Sequence, residues 1–133
     1  MLFKSQPAPK FRYRLAVRKG PLIQTAGMVG ISPDSNELVS GGAGAEFRQI
    51  LNNLTALTQD NEITLDDLMS ATIYTSAFHR FPEINLVWDK FFESSANLPA
   101  RSAVGVSQLP IGAQVEADFL FYVPSRTKEG ASA

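Results

Sequence analysis

Apolar residues recur along the chain in two rhythms, and each predicts a different kind of element. Phe47, Ile50, Leu51, Leu54 and Leu57 are spaced by three and four, which puts them on one stripe of an α-helix. Arg48, Asn52, Thr55 and Gln59 fall on the opposite side, as a helix lying on a core requires. A second stripe, Ile84, Val87, Trp88, Phe91 and Phe92, follows Pro82, a residue suited to a first helical turn. The other rhythm is short and extended. Leu15-Ala16-Val17 and residues 22–26 read as two strands joined at Lys19-Gly20-Pro21, and Pro33-Asp34-Ser35-Asn36 as a turn before a short extended piece, Glu37-Leu38-Val39. Gly41-Gly42-Ala43-Gly44 then breaks the chain ahead of the first helix. Residues 68–77, with Thr72-Ile73-Tyr74-Thr75 at their centre, predict a strand between the helices. Two more are predicted at 101–106 and 115–123.

The resulting order, β-β-(β)-α-β-α-β-β, contains no internal repeat. It predicts a two-layer α+β fold, two helices packed on one mixed β-sheet of about five or six strands. Residues 1–124 are expected to form one domain and the polar segment 125–133 a disordered tail. The last strand adds a demand of its own. Phe119-Leu120-Phe121-Tyr122-Val123 is apolar on both faces, and two helices cover only one. The simplest cover for the other is a second copy of the chain.

Composition narrows the function. The chain has 133 residues, 44% hydrophobic and 19% charged, apolar enough for a core and poorer in charge than most surfaces. Twelve Lys+Arg stand against 13 Asp+Glu, a net charge of −1, so no basic stripe for nucleic acid is expected. The absence of cysteine removes disulfides, thiol catalysis and thiolate metal sites. No secretory h-region opens the chain and no run of eighteen apolar residues occurs, so a cytoplasmic protein without a membrane partner is expected. The sequon Asn53-Leu54-Thr55 reads as a chance match.

Most motifs of chemistry are missing. Gly42 and Gly44 lack the third glycine of a dinucleotide loop, and His79, the single histidine, reads as a surface turn residue rather than a ligand or triad member. Glu62, Asp66 and Asp67 read as capping residues. No metal and no cofactor is expected. What stands out lies on the last two strands. Arg101 shares its strand face with Ala103 and Gly105, whose small side chains leave room beside a guanidinium whose planar fork suits a carboxylate. Glu116 and Asp118 begin a face continued by Leu120 and Tyr122. A carboxylate there is either paired with a cation or poised to handle a proton. Spacing alone favours a structural Arg101–Glu116 ion pair at a sheet edge.

Longer stretches around these residues carry a resemblance. Leu98-Pro99-Ala100-Arg101-Ser102, then Leu109-Pro110 and Val115-Glu116, resemble the signature of the RidA/YjgF family of reactive imine deaminases, also labelled L-PSP-type endoribonucleases. Gly41-Gly42 before Gln49-x-x-Asn52-Asn53-Leu54, Phe81 with Asn85 and Phe91-Phe92, and Thr25-Ala26-Gly27 agree and lie in the right order. The resemblance implies a chorismate-mutase-like homotrimer with active sites between subunits. It further implies that Arg101 grips a substrate carboxylate, that Glu116 activates water, and that Tyr13, Gly27, Asn85 and Ala103 line the pocket. The implied reaction is cofactor-free hydrolysis of a 2-imino or enamino acid, such as 2-iminopropanoate or 2-aminoacrylate, to a 2-keto acid and ammonia. The alternative is a non-catalytic member that binds a keto acid or related metabolite. Many deaminating members have serine at the position of Ala26 and cysteine at that of Ala103. Phe11-Arg12 stands where the family has Gly-Pro before its tyrosine.

Overall fold

A computed structural model describes residues 1–124; the segment 125–133, expected to be disordered, lies outside them. Six strands, β1 (Ala16–Lys19), β2 (Leu22–Thr25), β3 (Met28–Val29), β4 (Leu68–Thr75), β5 (Ala100–Gly105) and β6 (Val115–Tyr122), form one sheet. Its order is β1-β2-β6-β4-β5, with β3 also paired to β6. Only β4 and β5 run parallel, because helix α2 (Phe81–Phe91) forms the crossover between them. Helix α1 (Ala43–Asp60) lies beside α2, and both pack on one face of the sheet. No helix among the described residues is long and apolar enough to cross a membrane.

Both helices bury the stripes that their spacing predicts. Phe47, Ile50, Leu51, Leu54 and Leu57 of α1 and Ile84 and Trp88 of α2 meet Ile23, Ile73, Val115, Phe119 and Phe121 of the sheet. Burying one such side chain contributes roughly 1.5–3 kcal/mol, so this single layer carries most of the apolar stabilisation. Phe47 stacks on Trp88 with ring centres 6.4 Å apart, which ties α1 to α2, and Trp88 meets Phe92 at the end of α2 at 4.5 Å.

On β6 the two faces part as the sequence demands. Val115, Ala117, Phe119 and Phe121 are buried under the helices, whereas Leu120 is half-buried and Tyr122 is 50% exposed on the other side. Val17, Leu22 and Val104 are exposed on that same open face.

Several local expectations change. The third strand is Met28–Val29, not Glu37-Leu38-Val39, which contributes only a bridge between Leu38 and Ile31. Two residues are too few to show a period, but β6 supplies their partners, Ala117 and Glu116. Thr64, not the acidic residues, caps the 3-10 turn at Leu65–Asp67, its side chain accepting from the Asp66 N–H. Asn53 is buried, its Nδ2 donating to the Ile31 carbonyl at 2.9 Å, so the sequon is closed to modification.

One buried carboxylate joins α1 to the sheet. Glu46 is only 3% exposed and accepts from the Gln114 N–H at 2.8 Å, anchoring the entry to β6. Burial pushes its pKa above the ordinary 4.5, while the backbone N–H groups of Gln114 and Val115 and the charge of Arg80 pull the other way. A carboxyl raised in the folded state costs stability as pH climbs from 4.5 through its folded value. Glu46→Gln keeps an acceptor without the charge, so its stability relative to wild type should rise with pH across that window. Glu46→Ala strands the Gln114 N–H and should cost about 1–3 kcal/mol throughout. Urea unfolding at acid and neutral pH measures both.

Candidate functional site

Arg101 leaves β5 on the helix side of the sheet. Its register partner Ala71 is a core residue, and the guanidinium carbon lies 5.4 Å from the ring centre of Phe81 and 5.1 Å from that of Trp88. Stacking against two rings holds the guanidinium by its face and leaves its N–H edge free. No acidic side chain lies within salt-bridge distance of it among the described residues. Asn85 sits one turn from Phe81 and three residues before Trp88, on the same flank of α2. The small residues beside Arg101 serve neighbours rather than open space. A methyl added at Gly105 would lie 3.3 Å from the Phe78 ring, and Ala103 packs against the core. Phe78 in turn stacks on Phe81 at 4.9 Å, so the aromatic shelf needs that narrow strand.

Glu116 leaves β6 on the opposite, open face. Its register partner is Tyr74 of β4, and Tyr74 donates to Asp118 at 3.1 Å. Gly27 lies directly against the carboxylate: a Cβ there would sit 1.9 Å from Glu116 Oε2. Only glycine lets this backbone come so near. Glu116 accepts no hydrogen bond and forms no salt bridge with any described residue. Burial raises its pKa above 4.5, and the Asp118 charge raises it further. Tyr74 is raised as well, by burial first and then by its bond to Asp118.

The structural Arg101–Glu116 ion pair is therefore not formed. β4 stands between the two strands, β6 is interior to the sheet, and the side chains leave opposite faces. The six residues singled out from the sequence fall into two groups. Arg101, Ala103 and Asn85 gather between β5 and α2, whereas Glu116 and Gly27 gather where β3 meets β6, with Tyr13 beside Gly27 at a shared cleft. His79 is exposed in a 3-10 turn, as expected.

Sequence reasoning missed Phe81 and Trp88 as partners of Arg101, reading both only as helix residues. It also missed a polar cluster at the head of β6. Arg80 donates to both carboxylate oxygens of Glu83 at 2.8 and 2.9 Å and to Gln114 Oε1 at 3.2 Å, beside Glu46.

Comparison with known proteins sets this geometry in context. The profile of the family described as Endoribonuclease L-PSP matches residues 3–123. The chain belongs to this family. A 2-iminobutanoate/2-iminopropanoate deaminase of Dermatophagoides farinae is 33% identical over 117 residues, covering 88% of this chain and 90% of that protein. The YjgF gene product of Escherichia coli superposes with a TM-score of 0.82 at 28% identity, covering 89% of this chain and 93% of the other. Escherichia coli TdcF, solved with bound serine, gives 0.82 at 26% identity, covering 91% and 94%. In this L-PSP family member, too, two helices pack on one mixed sheet.

The carboxyl carbon of Glu116, followed by NMR through a pH titration, should have its midpoint above 4.5. Asp118→Asn removes the lesser cause, so it should lower the midpoint part-way and leave the contribution of burial. A wild-type midpoint at or below 4.5 would contradict the environment described.

Proposed function

We propose that the protein hydrolyses 2-imino acids to 2-keto acids and ammonia, in a site built by two copies of the chain within a chorismate-mutase-like homotrimer. The observation that carries this is the placement of an unpaired arginine and an unpaired carboxylate on opposite faces of one sheet. One protomer cannot close both on a small molecule. A neighbour docked on the open face, where Leu120, Tyr122, Val104 and Leu22 await cover, brings a second set within reach. The deaminase names among its relatives and the serine bound to TdcF support a ligand with a carboxylate beside a C–N bond.

In this scheme Arg101 of one subunit takes the carboxylate through its free N–H edge. Asn85 flanks it and Ala103 supplies the floor of the strand. Across the interface Glu116 holds a water, and Gly27 and Tyr13 bound the space beside it. As the water oxygen bonds to the imine carbon, Glu116 accepts its proton and the nitrogen takes up the electron pair of the C=N bond. Returning that proton to nitrogen gives the carbinolamine, and passing the hydroxyl proton to nitrogen through the same carboxylate then lets the C–N bond break, ammonia leave and the carbonyl form. A carboxyl with a raised pKa suits both halves of that exchange. Every group named is a side chain or backbone atom of this chain, so the step draws on no cofactor.

A second reading has its own observation. Ala26 and Ala103 offer no hydrogen bond where serine and cysteine stand in many deaminating relatives, and such a pocket suits a keto-acid sensor. RNA cleavage is a poorer fit to a net charge of −1.

The deciding measurement follows keto-acid formation from imines generated in situ, with wild type and Glu116→Gln. A deaminase should lose roughly a hundredfold in turnover while still binding keto acid. A sensor should not accelerate the spontaneous reaction in either form. Arg101→Lys keeps the charge but not the fork, so pyruvate binding by calorimetry should weaken by about 1.5–3 kcal/mol. Light scattering should give three times the 14.5 kDa protomer mass for wild type and for both variants, since each replacement is close in size and leaves Leu22, Val104, Leu120 and Tyr122 in place.

A further inference from the structure

The open face of the sheet carries two carboxyls, and the hydrolysis uses only one of them. Glu116 and Asp118 are two residues apart on β6, so both point the same way, roughly 7 Å apart along the strand. Both are half-buried, and neither forms a salt bridge with any described residue. Their side chains differ by one methylene, and a proton offered to such a pair can settle on either member.

A single hydroxyl separates them. Tyr74 stands opposite Glu116 in the register of β4 and β6, yet its side chain runs diagonally and donates to Asp118 Oδ2 at 3.1 Å. Glu116 receives no such donor; Gly27 closes in on its Oε2 instead. The rest of the face around the pair does not ionise. Ser102 and Val104 of β5 lie beside Thr72 and Tyr74, and Gln24 of β2 lies beside Leu120. Lys19 and Tyr122 stand at the far end of the face, where Leu22 pairs with both. Among the described residues the charge that reaches Glu116 is that of Asp118, and Tyr74 feels both carboxylates.

We propose that Tyr74 is a positioning residue for the hydrolysis: by bonding Asp118, its hydroxyl makes Glu116 the carboxyl of the pair that takes and returns the proton. The inference rests on the imine-hydrolysis reading above. A donor bonded to a carboxylate favours the charged form and so turns a proton away from it. With Asp118 held in that form, the proton released as water adds goes to Glu116, which its neighbour's charge makes the better acceptor. Without the hydroxyl the two carboxyls would share that proton, and the part on Asp118 would be withdrawn from the reacting nitrogen. A phenylalanine on β4 would fill the same space and make no choice between them.

The test follows the carboxyl carbons of Glu116 and Asp118 together by NMR through a pH titration, in wild type, Tyr74→Phe, Asp118→Asn and the double variant. Wild type should take up the proton on Glu116 alone across its step, with the Asp118 carbon still. In Tyr74→Phe the same step should divide between both carbons, and the Glu116 midpoint should fall. The acid limb of kcat/KM for imines generated in situ reports the free enzyme's base, so it should move to lower pH with that midpoint. Asp118→Asn removes the group through which Tyr74 acts. Adding Tyr74→Phe to it should therefore change neither the titration nor the limb. A divided step in the wild type, an undivided one in Tyr74→Phe, or a limb that stays put while the step divides would overturn the assignment. So would a shift of the limb that persists in the Asp118→Asn background, because the tyrosine would then act through packing. Failure of the hydrolysis reading looks different: the titrations run as expected and wild type accelerates no imine, which ends that reading while the assignment of the proton stands.

Discussion

Strand β6 runs through the middle of the sheet, and every second side chain on it is committed to the layer beneath the helices. Val115, Ala117, Phe119 and Phe121 complete the core, which leaves Glu116, Asp118, Leu120 and Tyr122 no place but the other face. A slip of one residue would expose two phenylalanines and bury two carboxylates, so packing fixes where Glu116 points. The same parity acts on β5 through its register with β4, sending Arg101 toward Phe81 and Trp88. The division between the cation and the carboxylate is thus a by-product of core packing. Under the proposed hydrolysis, it is also what calls for a second protomer.

Among the described residues, two carboxyls have pKa values raised chiefly by burial, and their surroundings differ. Glu46 has its partners supplied: the Gln114 N–H at 2.8 Å and the charge of Arg80 nearby. Those contacts hold it in place and tie α1 to the strand that carries Glu116 two residues further on. Glu116 has neither donor nor cation among the described residues, and its second influence, Asp118, is repulsive. A buried polar group with satisfied partners contributes to the fold. One left without them costs stability, and it persists where some other molecule supplies the contact.

Legibility followed the length of the repeating signal. Both helices could be read because five residues at spacings of three and four leave little choice, and β6 because its aromatic run exceeds what one face can use. The strand at Met28–Val29 is too short for any period, and only its pairing with Ala117 and Glu116 defines it. Arg101 and Glu116 were visible as chemistry, but their relation was not. Whether two residues on different strands face each other depends on strand order, and the insertion of β4 between β5 and β6 is a property of the assembled sheet. The aromatic shelf under Arg101 was hidden for a related reason. Trp88 satisfies the helical stripe wholly as a core residue, Phe81 precedes that stripe, and nothing in one helix says which strand residue lies against it.

The two alanines at Ala26 and Ala103 bear on what kind of catalyst such a site can be. Imines react with water unaided, so the barrier to be removed is small and a positioned water with one proton acceptor goes far toward removing it. Hydrogen-bonding side chains lining the pocket would then act less on the chemical step than on which substituents the pocket tolerates. Replacing them with methyl groups exchanges polar recognition for apolar surface within the site that the proposed reading assembles. Specificity in a site of this kind arises from what an intruding polar group would fail to find.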